Sequence, residues 1–125
     1  MEDNKTNVIE TLDGLSTAHL IVDAASDKKA QDIVLLDVHE ITSFTDYFVI
    51  CNGTSERQLR AIADGIDEAL STVGISPFRR EGTPADGWVL LDCSDVVVHI
   101  FAPESRTFYS LEKLWERGRI VARLV

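Results

Sequence analysis

With 125 residues and a formal net charge of −9, this chain is long enough for one domain with its own core and too acidic for a free-standing nucleic-acid binder. Apolar residues make up 45% of it, as in ordinary soluble domains, and no apolar run approaches the roughly 20 residues that cross a bilayer. The polar, acidic start Met1-Glu2-Asp3-Asn4-Lys5 is not a secretory leader, and Cys51 and Cys93 lack metal-ligand or redox spacing, so two free thiols in a reducing cytoplasm are expected.

Residues 1–15 lack periodicity and are expected to form a flexible arm. Ser16 is a plausible N-cap for a first helix that buries Leu20, Ile21, Ala24 and Ala25 and ends near Ala30. The segment Ile33 to Val38 is apolar on both faces, which predicts a central strand, and Asp46 to Cys51 predicts a second. After the turn Asn52-Gly53-Thr54, Ser55 caps a helix with Gln58 at the capping-box position. Its buried stripe is Leu59, Ile62, Ala63, Ile66, Leu70 and Val73, with Gly74 as the left-handed stop. Pro77 to Glu81 reads as a short edge strand.

The run from Trp88 to Phe101 predicts a hairpin with a two-residue turn at Cys93-Ser94, which pairs Trp88 with His99 and Asp92 with Asp95. Alternation then gives one face Val89, Leu91, Val96, Val98 and Ile100, a core face. The other face receives Trp88, Leu90, Asp92, Asp95, Val97, His99 and Phe101, a mixture of aromatic and ionisable groups that suits a partly wet binding surface. Residues from Glu104 to about Arg117 read as a last helix, or two short ones, in which Arg106, Tyr109, Leu111, Glu112 and Trp115 suit an interface as well as a core. The order α-β-β-α-β-β-β-α predicts a single α/β domain: a mixed five-stranded sheet with helices mainly on one face and part of the other face available.

Evidence for bond chemistry is thin. Gly53-Thr54-Ser55 joins a strand to a helix N-terminus, where a phosphate could sit, but the spacing of a phosphate loop is missing. Asp37 and Asp46 are expected at opposite ends of adjacent strands, and Asp92 and Asp95 flank a turn, so no Asp-x-Asp pair shares a strand face. His99 has no nucleophile beside it. No catalytic residue, metal ligand or cofactor is therefore assigned. The alternative is a nucleotide-binding transferase at Gly53-Thr54-Ser55.

Four segments, Gln31 to Val38, Thr45 to Ser55, Trp88 to Phe101 and Arg106 to Trp115, together resemble the ribosomal silencing factor (Iojap) family from about Ser16 to Trp115. The resemblance implies a nucleotidyltransferase-like fold without the metal-binding Asp-x-Asp, a domain over residues 16–116 and a basic extension over 117–125. It further implies a repressor that binds the large ribosomal subunit through its fourteenth ribosomal protein, at the intersubunit face, and blocks joining of the small subunit, chiefly when nutrients are short. The expected contact residues are Trp88, Leu90, His99, Phe101, Tyr109, Leu111 and Trp115, rimmed by Asp92, Asp95, Arg106 and Glu112; a homodimer through the same face is possible. Ser94 stands where such relatives usually carry Gly.

Overall fold

The computed structural model describes residues 13–76, 79–104 and 117–124. In chain order these form helix α1 (Gly14–Asp27), strands β1 (Gln31–Asp37) and β2 (Tyr47–Asn52), helix α2 (Glu56–Thr72), strand β3 (Arg79–Thr83), a 3-10 turn (Pro84–Asp86), and strands β4 (Trp88–Asp92), β5 (Val96–Phe101) and β6 (Arg119–Leu124). One six-stranded sheet runs β3-β4-β5-β2-β1-β6. β2 and β5 are parallel and every other pair is antiparallel.

The sheet has six strands where the sequence pattern predicts five. Residues 119–124, set aside above as part of an extension, pair antiparallel with β1. With β6 on one side and β2 on the other, β1 lies inside the sheet, not at its edge, and its two apolar faces each meet a core. β3 is an edge strand, as predicted, but it spans Arg79–Thr83; the first two residues of the predicted strand, 77 and 78, lie outside the described residues.

α1 begins earlier than its apolar stripe suggests. Asp13, not Ser16, is the cap: its carboxylate accepts from the Ser16 N–H at 2.8 Å, and Gly14 and Leu15 are already helical. The helix stops at Asp27, because Lys28 closes it and Lys29 turns left-handed with φ 66°. α2 follows its pattern closely. Ser55 Oγ accepts from the Gln58 N–H at 3.1 Å, and Gln58 Oε1 accepts in return from the Thr54 N–H at 2.6 Å. Leu59, Ile62, Ala63, Ile66 and Leu70 are buried, and Gly74 takes φ 80° just past the end.

Both helices pack on one face of the sheet. There Ile21, Ala25, Ile62 and Ile66 meet Leu35, Val49, Leu91 and Val98 in the larger core. The second face is open only in part, at the half-buried Trp88, Leu90 and His99, as expected, but less of it is free than the sequence suggests. It carries its own buried cluster of Val34, Leu36, Val38, Phe48, Ile50, Val97 and Phe101. β1, β2 and β5 are apolar on both sides, so both sides are core.

The hairpin is shifted by two residues from its predicted register. Trp88 lies opposite Phe101, Leu90 opposite His99 and Asp92 opposite Val97. Cys93 N–H bonds Val96 O at 2.9 Å, so the turn residues are Ser94 and Asp95. A slip of two leaves every side chain on its predicted face, since the strand repeat is also two. Ser94 adopts φ 73°, a left-handed conformation that costs a residue with a Cβ about 1 kcal/mol. Ser94→Gly is expected to raise stability by about 0.5–1 kcal/mol, read as a higher melting temperature of a few degrees. An unchanged or lower melting temperature would show that the Ser94 side chain earns its place. The opposite case is Gly82 (φ 77°), where a Cβ would stand 2.3 Å from the Trp88 carbonyl oxygen, so only glycine lets β3 lie against β4.

Candidate functional site

On the second sheet face, the rings of β4 and β5 form a connected row. Trp88 stacks on Phe101 with centroids 6.5 Å apart, and Phe101 stacks on His99 at 5.9 Å. The His99 ring meets Phe48 edge-on at 5.1 Å, and Phe48 lies 6.3 Å from Phe44. Trp88 and Phe101 are cross-strand partners, His99 and Phe101 are alternate residues of β5, and Phe48 is a diagonal neighbour of His99 on β2.

Burial divides the row. Phe101 is 1% exposed, so it supports the other rings and is a core residue, not the surface contact expected above. Trp88, Leu90 and His99 are half-buried, and Asp92 beside them is too. Asp95 is exposed, but in the turn, beyond the strand face. Arg106, Tyr109, Leu111, Glu112 and Trp115 lie outside the described residues. Phe44, missed by the sequence reading because it sits in a polar connection, is 68% exposed.

Trp88 and His99 are joined by more than stacking. The indole Nε1–H donates to His99 Nδ1 at 3.5 Å, a long bond that requires Nδ1 to be unprotonated. Burial pushes the imidazole down to about 4, so it is neutral near pH 7 and keeps that acceptor.

A second polar cluster lies at the far end of the sheet. Asp37, 8% exposed, accepts from Arg119 Nη2 at 2.8 Å, and its other oxygen is 2.6 Å from His39 Nδ1. The His39 hydrogen bond, with Arg119 adding, holds the carboxyl at about 2, and Asp37 in turn raises the imidazole. Antiparallel pairing brings Asp46 to the same end, with its carbonyl accepting from Val38 N–H at 2.8 Å. Asp37 is therefore committed to a cation. Among the described residues, no three His, Cys, Asp or Glu side chains converge to hold a metal ion.

At the Gly53-Thr54-Ser55 junction the Gly53 and Thr54 donors are satisfied from within. Gly53 N–H donates to Phe101 O at 2.8 Å, and Thr54 N–H and Oγ1 both donate to Gln58 Oε1. Those donors would have to break existing bonds to cradle a phosphate. Cys51 is buried, and burial followed by the nearby Asp92 charge pushes the half-buried Cys93 thiol up to about 12; neither is in a disulfide. Among the described residues no helix is long and apolar enough to cross a membrane.

Comparison with known proteins adds to this geometry. A family model described as ribosomal silencing factor during starvation matches residues 11–123. The ribosomal silencing factor of Halalkalibacterium halodurans is 45% identical over 96 residues, covering 77% of this chain and 82% of the relative. A mouse protein named for mitochondrial assembly of the ribosomal large subunit is 35% identical over 99 residues, 77% of this chain and 43% of that one. The crystal structure of a Chromobacterium violaceum protein superposes with a TM-score of 0.79 at 33% identity, covering 90% of this chain and 93% of the other.

Proposed function

This chain belongs to the ribosomal silencing factor family, and from that premise we propose that it lowers translation by docking on the large ribosomal subunit and keeping the small subunit away. The proposed partner is the fourteenth large-subunit ribosomal protein, at the intersubunit face. The action is steric, takes place in the cytoplasm, and uses no cofactor and no bond chemistry. The single observation that carries the reading is the family match across residues 11–123, nearly the whole chain.

The row Trp88, Leu90 and His99 supports a place for the contact. Each is half-buried on one sheet face, and an aromatic or aliphatic side chain held by neighbours is the type that anchors an interface. Phe101 and Phe48 fix the rings from behind. Asp92 and Asp95 supply a polar rim. Tyr109, Leu111 and Trp115, with Arg106 and Glu112, remain proposed contacts.

The nucleotide-transferase alternative at Gly53-Thr54-Ser55 is disfavoured by the internally bonded donors of Gly53 and Thr54. Co-sedimentation with separated ribosomal subunits tests the proposal. The expected result is migration of the full chain with large subunits and not with small ones. Migration with neither, or magnesium-dependent turnover of a nucleotide, would overturn it.

A further inference from the structure

We infer that the β6 edge of the sheet, with the loop between β1 and β2, is a second contact surface that takes ribosomal RNA: phosphates on its arginines and an unpaired base on Phe44. The inference rests on the large-subunit reading above and names another class of contact there.

Charge is the first argument. Residues 117–124 carry three arginines and no acidic side chain, in a chain whose net charge is −9. Arg117, Arg119 and Arg123 are all exposed. Two acidic neighbours have cationic partners: Asp37 holds Arg119 and His39, and Glu40 lies 3.7 Å from His39 Nε2, while Asp46 stands exposed at the same end. Arg119 uses one nitrogen on Asp37, yet its side chain is 76% exposed, leaving other donors of the guanidinium fork in water.

Geometry is the second. The β1–β6 ladder shifts register between Leu35 and Leu36. Ile120 therefore lies across from Leu36 and Arg123 across from Val34, and both of these partners belong to the second sheet face. In a regular strand, residues three apart point to opposite faces; the bulge brings these two to the same one. Phe44 flanks that face through Phe48. The same loop sends His39, Glu40 and Ile41 to line a 140 Å³ cleft with Asp37, Arg117 and Arg119.

The occupant follows from these chemistries. A second copy of β6 would set arginines against arginines, which is how edge strands resist self-pairing. Guanidiniums that match phosphate oxygens, next to an exposed aromatic ring on which a base stacks, suit RNA with an unpaired nucleotide. The overall negative charge repels RNA at long range, so the edge engages only after docking elsewhere brings it into reach.

The test measures binding of the full chain to isolated large subunits between about 50 and about 200 mM KCl, with chemical footprinting of the large-subunit RNA. For Arg117→Gln/Arg123→Gln the log–log salt slope is expected to become shallower by about 1.4–1.8, the loss of two phosphate contacts. Phe44→Leu is expected to weaken binding about tenfold with the slope kept, as for loss of one stacked base. Both variants are expected to lose an RNA protection seen with the parent chain. An unchanged slope together with an unchanged footprint would overturn the inference and leave large-subunit docking intact. A changed slope with no RNA protection in the parent would point to an acidic protein and also overturn it. A parent chain that does not bind the particles would overturn both readings.

Discussion

Trp88→Ala is expected to weaken binding to isolated large subunits by about 2 kcal/mol or more, roughly 30-fold in Kd, with the far-ultraviolet circular dichroism unchanged. Among the described residues Trp88 is the largest half-buried side chain of the proposed contact, and three features fix it before any partner arrives: stacking on Phe101, the bond to His99 Nδ1, and the close approach of Gly82 beneath its backbone. An anchor ordered in advance loses little conformational entropy on binding, so its truncation costs nearly the full contact. Because an alanine here also uncovers part of the second core, Trp88→Phe is the companion measurement. Phenylalanine keeps the stack and loses the N–H, and is expected to fall between the parent and the alanine variant. Parent-like affinity in both folded variants would remove Trp88 from the interface.

Acidification is expected to cost this fold about 2–3 kcal/mol between pH 7 and pH 4.5 through His99 alone. The folded-state value, about 4, lies below the ordinary 6.5 of an imidazole. Between those values the unfolded chain binds the proton and the folded chain does not, so stability falls as pH drops through that window. His39 acts the other way, since its raised value favours the folded state when the ring is protonated, and that contribution fades as pH rises. Asp37, held at about 2, stabilises the fold above its ordinary carboxylate range and loses that contribution only at lower pH still. Urea unfolding of the parent and of His99→Gln at the two pH values separates the terms. Glutamine keeps an acceptor for the indole and does not titrate, so its stability is expected to change much less. Equal losses in both proteins would mean that His99 is not held neutral by burial. Protonation of Nδ1 also sets a donor against the Trp88 N–H, so ribosome binding is expected to weaken over the same range.

Much of this arrangement is legible in the residues. The two faces of the β4–β5 hairpin could be assigned without its register, because an error of two residues preserves side-chain parity. The turn itself was misplaced because Ser94 adopts a conformation usually left to glycine. β6 escaped notice for a related reason. Its bulge breaks the alternation that marks a strand, leaving Arg119-Ile120-Val121-Ala122-Arg123-Leu124 without a clean period. The β-branched pair Ile120-Val121 after Gly118 was the available signal. Phe101 and Phe44 could not be ranked by type: one lies in the second core and the other stands in solvent, and only the three-dimensional structure tells them apart. The Asp37–Arg119 bond joins residues 82 apart in sequence, and no local pattern announces it.

The most direct measurement is subunit joining followed by light scattering, with small and large subunits mixed after the large ones have been incubated with the full chain. Steric docking predicts that joining falls in proportion to large subunits occupied, that it recovers when small subunits are in excess, and that Trp88→Ala must be added at roughly 30-fold higher concentration for the same inhibition. Normal joining by large subunits that demonstrably carry the protein would contradict it.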